Sequence, residues 1–408
     1  MLLLHLMSFL FPQKTRAIYV DHQLQSMSSA WGEFVLNACQ QLQVPCSIVP
    51  VHVAEGNLEN QARNARYQAF AEHLKNNEVL VLAHHQQDQA ETLMLRLLSG
   101  AGVQGLSAMS VVDVRPQMTL WRPMLELSRE QICQWAVQLD VQNIEDPTNA
   151  NPDYDRAWCR EILWPVLQQR FPKMQQALSR TSILMQDADE ILAEVLAFDL
   201  EKCGNPSLLN IEPLKMLSVA RQRQLLSHWM QGEATYRPNF AMVQRLQAEV
   251  IEAKQDAQAA LHWLGYYYVR YQQQIFRLTE DTYLAEQRSS VLATQMQIFE
   301  LNQTVSLFSG QYLIQEQALG LSKELLGKQL IFSPRVGGEK IHLHGRVGSW
   351  PLKKALQQAQ IFPWLRHTIQ ILSIDNVMLG VFTPKGFWLA QSEYLVVDGW
   401  QPKLVSGQ

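Results

Sequence analysis

The chain has 408 residues, 47% of them hydrophobic and 18% charged, with a formal net charge of −4. That length holds two or three domains, each with its own core, and the charge balance excludes a uniformly basic nucleic-acid binder, so any RNA contact must come from a local patch. The five cysteines (Cys39, Cys46, Cys133, Cys159, Cys203) form no C-x-x-C pair, which argues for a reducing, cytoplasmic setting and against a zinc or iron–sulfur site, and no apolar run approaches a transmembrane length.

Met1 to Phe11 is apolar from the first residue but lacks the basic start and small-residue cleavage site of a signal peptide. It predicts a buried helix that has lost whatever should precede it. Thr15 to Val20 reads as a strand ending in the turn Asp21-His22-Gln23. Ser29 to Leu42 is a helix with Trp31, Phe34, Val35, Ala38 and Leu42 on one stripe. Pro45 stops it, and Cys46 to Val53 is the next strand. Asn60 to Leu74 is a helix with Arg63 and Arg66 three apart, and Tyr67 and Phe70 on its apolar side. Glu78 to Ala83 is a short apolar run of the kind a parallel sheet buries on both faces. Strands and helices alternating at this spacing predict an α/β domain with a doubly wound parallel sheet.

His84 and His85 end that strand, and Asp88 sits where a helix begins, with Glu91 three residues on along the same face. Two carboxylates thus stand just past the C-terminal edge of a strand, where open α/β sheets place their ligand sites. The plainer alternative is that they only cap the helix and complement its dipole. The histidines read as strand-end polar residues, with no third ligand spaced nearby for a metal. Gly100 to Gly105 matches G-x-G-x-x-G but follows a helix instead of a strand, so it is not a dinucleotide site. Ser128-Arg129-Glu130-Gln131 is a capping box opening a helix to about Leu139. Asn143 to Asn149 is a turn-rich loop that Pro147 keeps from being helical. The helix after it carries Arg156 and Arg160 at i, i+4. Beside Asp146 and Asn149, these arginines form either a surface salt-bridge cluster or a phosphate site.

From Lys173 to Lys254 the pattern is helical with no strand signal: Met174 to Leu200, Glu212 to Met230 and Phe240 to Ala253. Leu261 to Leu278 is aromatic and β-rich and predicts a hairpin, its tyrosines packing across strands in preference to stacking nucleobases. Residues 280 to 326 are weakly patterned and read as a connection. Between Lys328 and Arg366 stand seven Lys or Arg (Lys328, Arg335, Lys340, Arg346, Lys353, Lys354, Arg366) against one acid, Glu339. Leu343 to Ser349 is a glycine-punctuated loop leading into a helix with Lys353 and Lys354 in its first turns. Lysines there oppose the helix dipole, which favours contact with a phosphate backbone over a merely solvated basic face.

Together these stretches resemble the tRNA(Ile)-lysidine synthetases, a family of PP-loop (N-type) ATP pyrophosphatases. The resemblance rests on Val20-Asp21-His22, Glu59 to Tyr67, His84 to Thr92, Gly100 to Met109, Arg122 to Leu125, Glu145 to Asn149 and Asp153 to Arg156. It continues in His344-Gly345-Arg346, Leu352-Lys353-Lys354 and Pro363 to Arg366. It implies a catalytic domain at residues 1–172, a mainly helical tRNA-contacting domain at 173–280, a connecting region at 281–327 and a basic α+β tRNA-binding domain at 328–408. The implied reaction uses ATP with Mg²⁺ to adenylylate C2 of the wobble cytidine in the CAU anticodon of tRNA(Ile); free lysine then displaces AMP. By the same resemblance Asp88, Glu91, Arg66, Asn149, Arg156 and Arg160 belong to the catalytic constellation, the carboxylates either orienting the lysine ammonium or holding Mg²⁺, for which Asp88 is the candidate. Asp21 and His22 are assigned to ATP, and Arg335, Lys340, Arg346, Lys353, Lys354 and Arg366 to tRNA. Assembly as a homodimer is left open.

Two departures from the family pattern matter. Gln87 stands where an acid usually precedes Asp88. The N-terminal strand and Ser-Gly-Gly-x-Asp-Ser loop are absent, and Met1 to Leu6 resembles the helix that follows that loop. Because its backbone N–H groups cradle phosphates, the expectation is weak ATP binding, and the alternative reading is a non-catalytic tRNA-binding remnant. A tRNA 2-thiocytidine synthetase ranks below both, for want of C-x-x-C cysteines.

Overall fold

Apolar runs alternating with amphipathic stretches build the first part of the chain. The computed structural model describes residues 1–23, 27–54, 58–144, 151–234, 236–254, 259–288 and 294–407. The chain divides into two units, Met1–Val195 and Leu196–Gln408. The first unit runs α1 (Leu2–Leu10), β1 (Ala17–Asp21), α2 (Ser28–Gln41), β2 (Cys46–Pro50), α3 (Leu58–His73), β3 (Val79–Val81), α4 (Gln86–Leu98) and α5 (Val103–Leu106). It continues through β4 (Val112–Val114), β5 (Thr119–Trp121), α6 (Arg129–Gln138), α7 (Asp155–Trp158), a π-helical stretch Cys159–Leu163, α8 (Trp164–Arg170) and the long α9 (Met174–Cys203), whose last turns belong to the second unit.

The crossover helices make β1 and β2 parallel, Ala17 opposite Cys46, and β3 and β5 parallel, Val79 opposite Thr119. β4 adds an antiparallel edge. The mixed α/β class is therefore as expected, but among the described residues the sheet is in two pieces, β1-β2 and β3-β5-β4. Between them lies a cavity of about 750 Å³ lined by Leu3, Leu4, Met7, Ile18, Leu80 and Trp121 among others. Glu78, expected to begin β3, lies outside it. Its carboxylate accepts from Arg16 Nε (2.8 Å) and Nη2 (2.5 Å) and from the Lys75 amide (2.7 Å), and the guanidinium holds its pKa down to about 2. The Ser128 capping box forms as the sequence requires, Ser128 Oγ accepting the Gln131 amide and the Gln131 side chain accepting the Ser128 amide.

In the second unit two tiny strands, β6 (Gly204–Asn205) and β7 (Leu208–Asn210), appear where only helix was expected, because two or three residues leave no periodicity to read. The helix expected over Glu212 to Met230 breaks into α10 (Ile211–Met216) and α11 (Val219–Gln231), Ser218 capping the second. α12 (Phe240–Arg245) follows and passes into a π-helical turn, Leu246–Ile251. The expected hairpin is a three-stranded meander, β8 (Ala260–Trp263), β9 (Tyr266–Tyr271) and β10 (Gln274–Thr279), completing a sheet in the order β6-β7-β10-β9-β8. Its tyrosines do pack: Tyr268 is fully buried with its hydroxyl donating to Met230 O (3.0 Å), and Tyr267 stacks on Tyr283 at 4.2 Å.

The expected connection at 281–327 needs correcting. It contains most of α13 (Glu280–Arg288), then β11 (Gln295–Ile298), β12 (Thr304–Leu307) and the twelve-residue β13 (Gly310–Leu321). β13 alternates buried and exposed residues along its first half, with glutamines on the outer face masking its hydrophobicity. The rest is β14 (Gln329–Pro334), β15 (Lys340–Ile341), β16 (Trp350–Pro351), α14 (Leu352–Gln358), β17 (Gln370–Ile374), β18 (Val377–Thr383), β19 (Gly386–Leu389) and β20 (Leu395–Gly407). Sheets β11-β14-β17-β18-β19 and β12-β13-β20 contribute to one core that includes Phe299, Tyr312, Phe332, Phe382 and Trp400. Among the described residues no helix is long and apolar enough to cross a membrane.

Candidate active site

β3 delivers His84 and His85 to the start of α4. His85 takes an extended backbone as N-cap, its Nδ1 accepting the Asp88 amide (3.4 Å) while Asp88 Oδ2 accepts the His85 amide (2.9 Å). Capping therefore occupies one Asp88 oxygen. The other, Oδ1, stands 3.9 Å from both Arg156 Nη1 and Arg160 Nη2. One turn on, Glu91 is fully buried and saturated. Arg160 donates to it bidentately (Nε to Oε1, 2.6 Å; Nη2 to Oε2, 2.9 Å), and the buried Gln87 amide adds a third bond at 3.0 Å. The two carboxylates of the sequence pattern thus face the same arginine, but only Asp88 keeps an oxygen at the surface of the site.

Further cations crowd these acids. Burial lowers the Arg66 pKa, and the nearby Arg63 and Arg156 lower it further. Arg63 lies over the Tyr67 ring at 4.9 Å, and Arg156 reaches Thr92 Oγ1 at 3.4 Å. A cluster of guanidiniums in partial burial calls for an anionic ligand. Two imidazoles belong to the same neighbourhood. His22 follows β1 and His84 follows β3; each has a buried Nδ1 without a hydrogen-bond partner among the described residues. Burial, then Arg66, pushes the His22 pKa down; burial, with help from Arg122, Arg156 and Arg63, pushes His84 to about 4. Both are neutral at pH 7, and an orphaned buried nitrogen is a place for a ligand hydrogen bond. Asp21 is half-buried and accepts the Gln23 amide (2.9 Å). Asn149, with Asp146, lies outside the described residues.

Sequence reasoning missed the frame behind this site. Gln89 exchanges both its amide atoms with the Met109 backbone (2.7 and 3.0 Å) and donates to Ser182 Oγ on α9 (3.0 Å). Arg96 binds Gly105 O and Ala108 O (2.8 and 2.9 Å), which ties the glycine-rich stretch into the fold. Arg122, only 2% exposed, donates to Ser110 O at 2.7 Å. Only the glycine spacing hinted at any of this.

Of the six cations assigned to tRNA, Lys340, Arg346, Lys353 and Lys354 are exposed. Arg335 is half-buried beside Glu339 (3.5 Å), and Arg366 donates to Ile361 O (3.3 Å), so those two are held by the fold.

A parallel α/β sheet whose strands end at concentrated positive charge is a nucleotide-binding architecture, and residues 1–167 match the family model described as the PP-loop domain. Residues 209–276 match the TilS substrate binding domain and residues 330–393 the TilS substrate C-terminal domain. The chain is 61% identical over 406 residues to tRNA(Ile)-lysidine synthase of Acinetobacter baylyi, covering 100% of this chain and 88% of that protein. It is 34% identical over 396 residues to the Shigella flexneri protein of the same name (95% and 90% covered) and 33% over 380 to that of Alkalilimnicola ehrlichii (91% and 84% covered). The chain belongs to the tRNA(Ile)-lysidine synthase family.

Proposed function

We propose that the chain ligates free lysine to C2 of the wobble cytidine in the CAU anticodon of tRNA(Ile), consuming ATP and releasing AMP and diphosphate, in the cytoplasm. The observation that carries this reading is the convergence of Asp88, Arg66, Arg156 and Arg160 at the C-terminal edge of the sheet in the PP-loop domain. Arg66 and Arg156 neutralise the phosphates and the charge that develops as diphosphate departs. Asp21 and His22, at the end of β1, line the adenine side. Asp88 Oδ1 orients the lysine ammonium or gives one oxygen to Mg²⁺, and the neutral His22 and His84 accept hydrogen bonds from the bound ligands. Glu91 acts through Arg160, since its own oxygens already have three donors. Asn149 is assigned to the same constellation from the sequence resemblance.

The fit to Mg²⁺ is partial: among the described residues Asp88 Oδ1, flanked by two arginines, would be the oxygen that holds the ion. When bound, the ion offsets phosphate charge. The exposed Lys340, Arg346, Lys353 and Lys354 support a phosphate-backbone contact with tRNA.

The test is incubation of the purified chain with labelled lysine, ATP and an unmodified tRNA(Ile) transcript. Lysine should enter the CAU transcript only when ATP is present, and not a transcript with a UAU anticodon. Tight tRNA binding with no lysine transfer would return the chain to a binding-only protein, a reading that 61% identity to a synthase along the whole of this chain disfavours.

A further inference from the structure

The tripeptide Arg-Val-Gly occurs twice in the basic segment, at Arg335-Val336-Gly337 and Arg346-Val347-Gly348. In both copies the valine is almost wholly in solvent, Val336 at 91% and Val347 at 96%, the highest values among the exposed large hydrophobics described. In both copies the glycine has positive φ, 99° at Gly337 and 78° at Gly348, which turns the chain sharply after the valine. Neither tip is a loose loop. Glu339 Oε1 accepts the amides of Val336 and Gly337 (2.6 Å each), which pins the first. The second is closed by the Arg346 amide on Leu343 O (3.2 Å) and by a hydrogen bond between His342 Nε2 and Arg346 O (2.9 Å), with the Arg346 guanidinium over Trp350 at 5.4 Å. The tips leave opposite ends of one short ladder, in which Lys340 faces Pro351 and Ile341 faces Trp350.

A single exposed valine needs no explanation. Two presented by the same tripeptide, on hydrogen-bonded turns in a segment with seven cations against one acid, are a repeated feature that chance exposure does not account for. We infer that the two Arg-Val-Gly tips are apolar contacts to an RNA helix, seated on ribose and base edges of its wide, shallow minor groove while neighbouring lysines hold the phosphates. The cation excess selects a polyanion, and pinned aliphatic tips of one residue suit a shallow groove. The inference rests on the reading of the second unit as a tRNA-binding surface.

The full chain is tested with a tRNA(Ile) transcript by measuring affinity across a salt series. Val336→Ser with Val347→Ser should weaken binding roughly tenfold at every salt concentration, as expected for two small apolar burials, and leave the salt slope unchanged. Val336→Ile with Val347→Ile should retain affinity. Lys340→Gln, Lys353→Gln and Lys354→Gln together should flatten the slope instead. If the serine variant binds like the parent while the lysine variant flattens the slope, the tips are idle and the tRNA surface stands. If neither variant changes binding, that surface itself is wrong. If the parent binds phosphatidylglycerol vesicles and the serine variant loses only that binding, the partner is a membrane and the inference is overturned.

Discussion

The helix that carries Asp88 and the sheets that enclose Trp400 are held in place by different means. In the second unit Trp400, Phe299, Phe332, Tyr312 and Phe382 are essentially excluded from water, with ring centroids 4.9–5.6 Å apart. In the first unit, among the described residues, the fully buried part of the cluster against α4 is Ala90 with Cys159, Trp164 and Met174, ringed by partly buried Met94, Leu95, Leu163, Leu167 and Leu178. α4 is fastened in addition by polar groups: Glu91 to Arg160, Gln89 to Met109 and Ser182, His85 to Asp88. Dispersion in a packed core is non-directional and spread over many contacts. A polar network places single atoms, which chemistry requires, but each broken partner leaves a costly orphan.

The comparison can be broken at its strongest point first. Trp400→Ala should destabilise the second unit by about 4 kcal/mol, the usual cost of emptying a large aromatic site, and it also removes the bond from Trp400 Nε1 to Ser322 O. Urea denaturation followed by circular dichroism reads this; a loss below about 2 kcal/mol would mean the core repacks freely.

Next comes the contrast within the acid pair. Glu91→Ala should cost about 3 kcal/mol, because it strips the half-buried Arg160 of its bidentate partner and leaves it only Asp88 at 3.9 Å, and it should abolish turnover. Asp88→Ala should abolish turnover at about 1 kcal/mol, the value of a cap. Equal stability losses in the two variants would erase the distinction between a positioning carboxylate and one that meets the substrate.

Acid should act on the first unit through His84. Its folded pKa, near 4, lies below the ordinary value of 6.5, so between those two pH values the unfolded chain binds the extra proton. Stability therefore declines as pH falls through that window and has no such dependence above it. His84→Asn should reduce the fall in melting temperature between pH 6.5 and 4; an unchanged acid profile would show that His84 is protonated at no cost.

The smallest effect is expected at the exposed cations. Lys353→Gln with Lys354→Gln should leave stability within about 0.5 kcal/mol but reduce the salt slope of tRNA binding by about one unit per lost phosphate contact. A shift in melting temperature without a change in slope would assign them to the fold.

Much of this was legible in the residues. The α/β alternation, the cap at Ser128 and the acid-bearing helix after Glu78 to Ala83 all express short periods or fixed offsets, and such signals survive in one dimension. β13 escaped because its outward glutamines lower the contrast that period-two reading needs, and β6 and β7 because they are too short to have a period.

What the sequence by itself determined, then, is where secondary structure begins and ends and where charge accumulates: carboxylates at 88 and 91, arginines at 156 and 160, cations between 328 and 366. Tertiary structure alone decided their roles. It paired Glu91 with Arg160, 69 positions away, and left Asp88 Oδ1 open. It tied Arg335 and Arg366 into the fold, laid Arg346 over Trp350 with a bond to Gln358, enclosed the Nδ1 atoms of His22 and His84 without a hydrogen-bond partner among the described residues, and set Gly310 opposite Gly407. The physical reason is range. Helix and strand patterns are written in residues a few places apart, whereas desolvation and charge pairing depend on whatever the folded chain brings within a few ångströms.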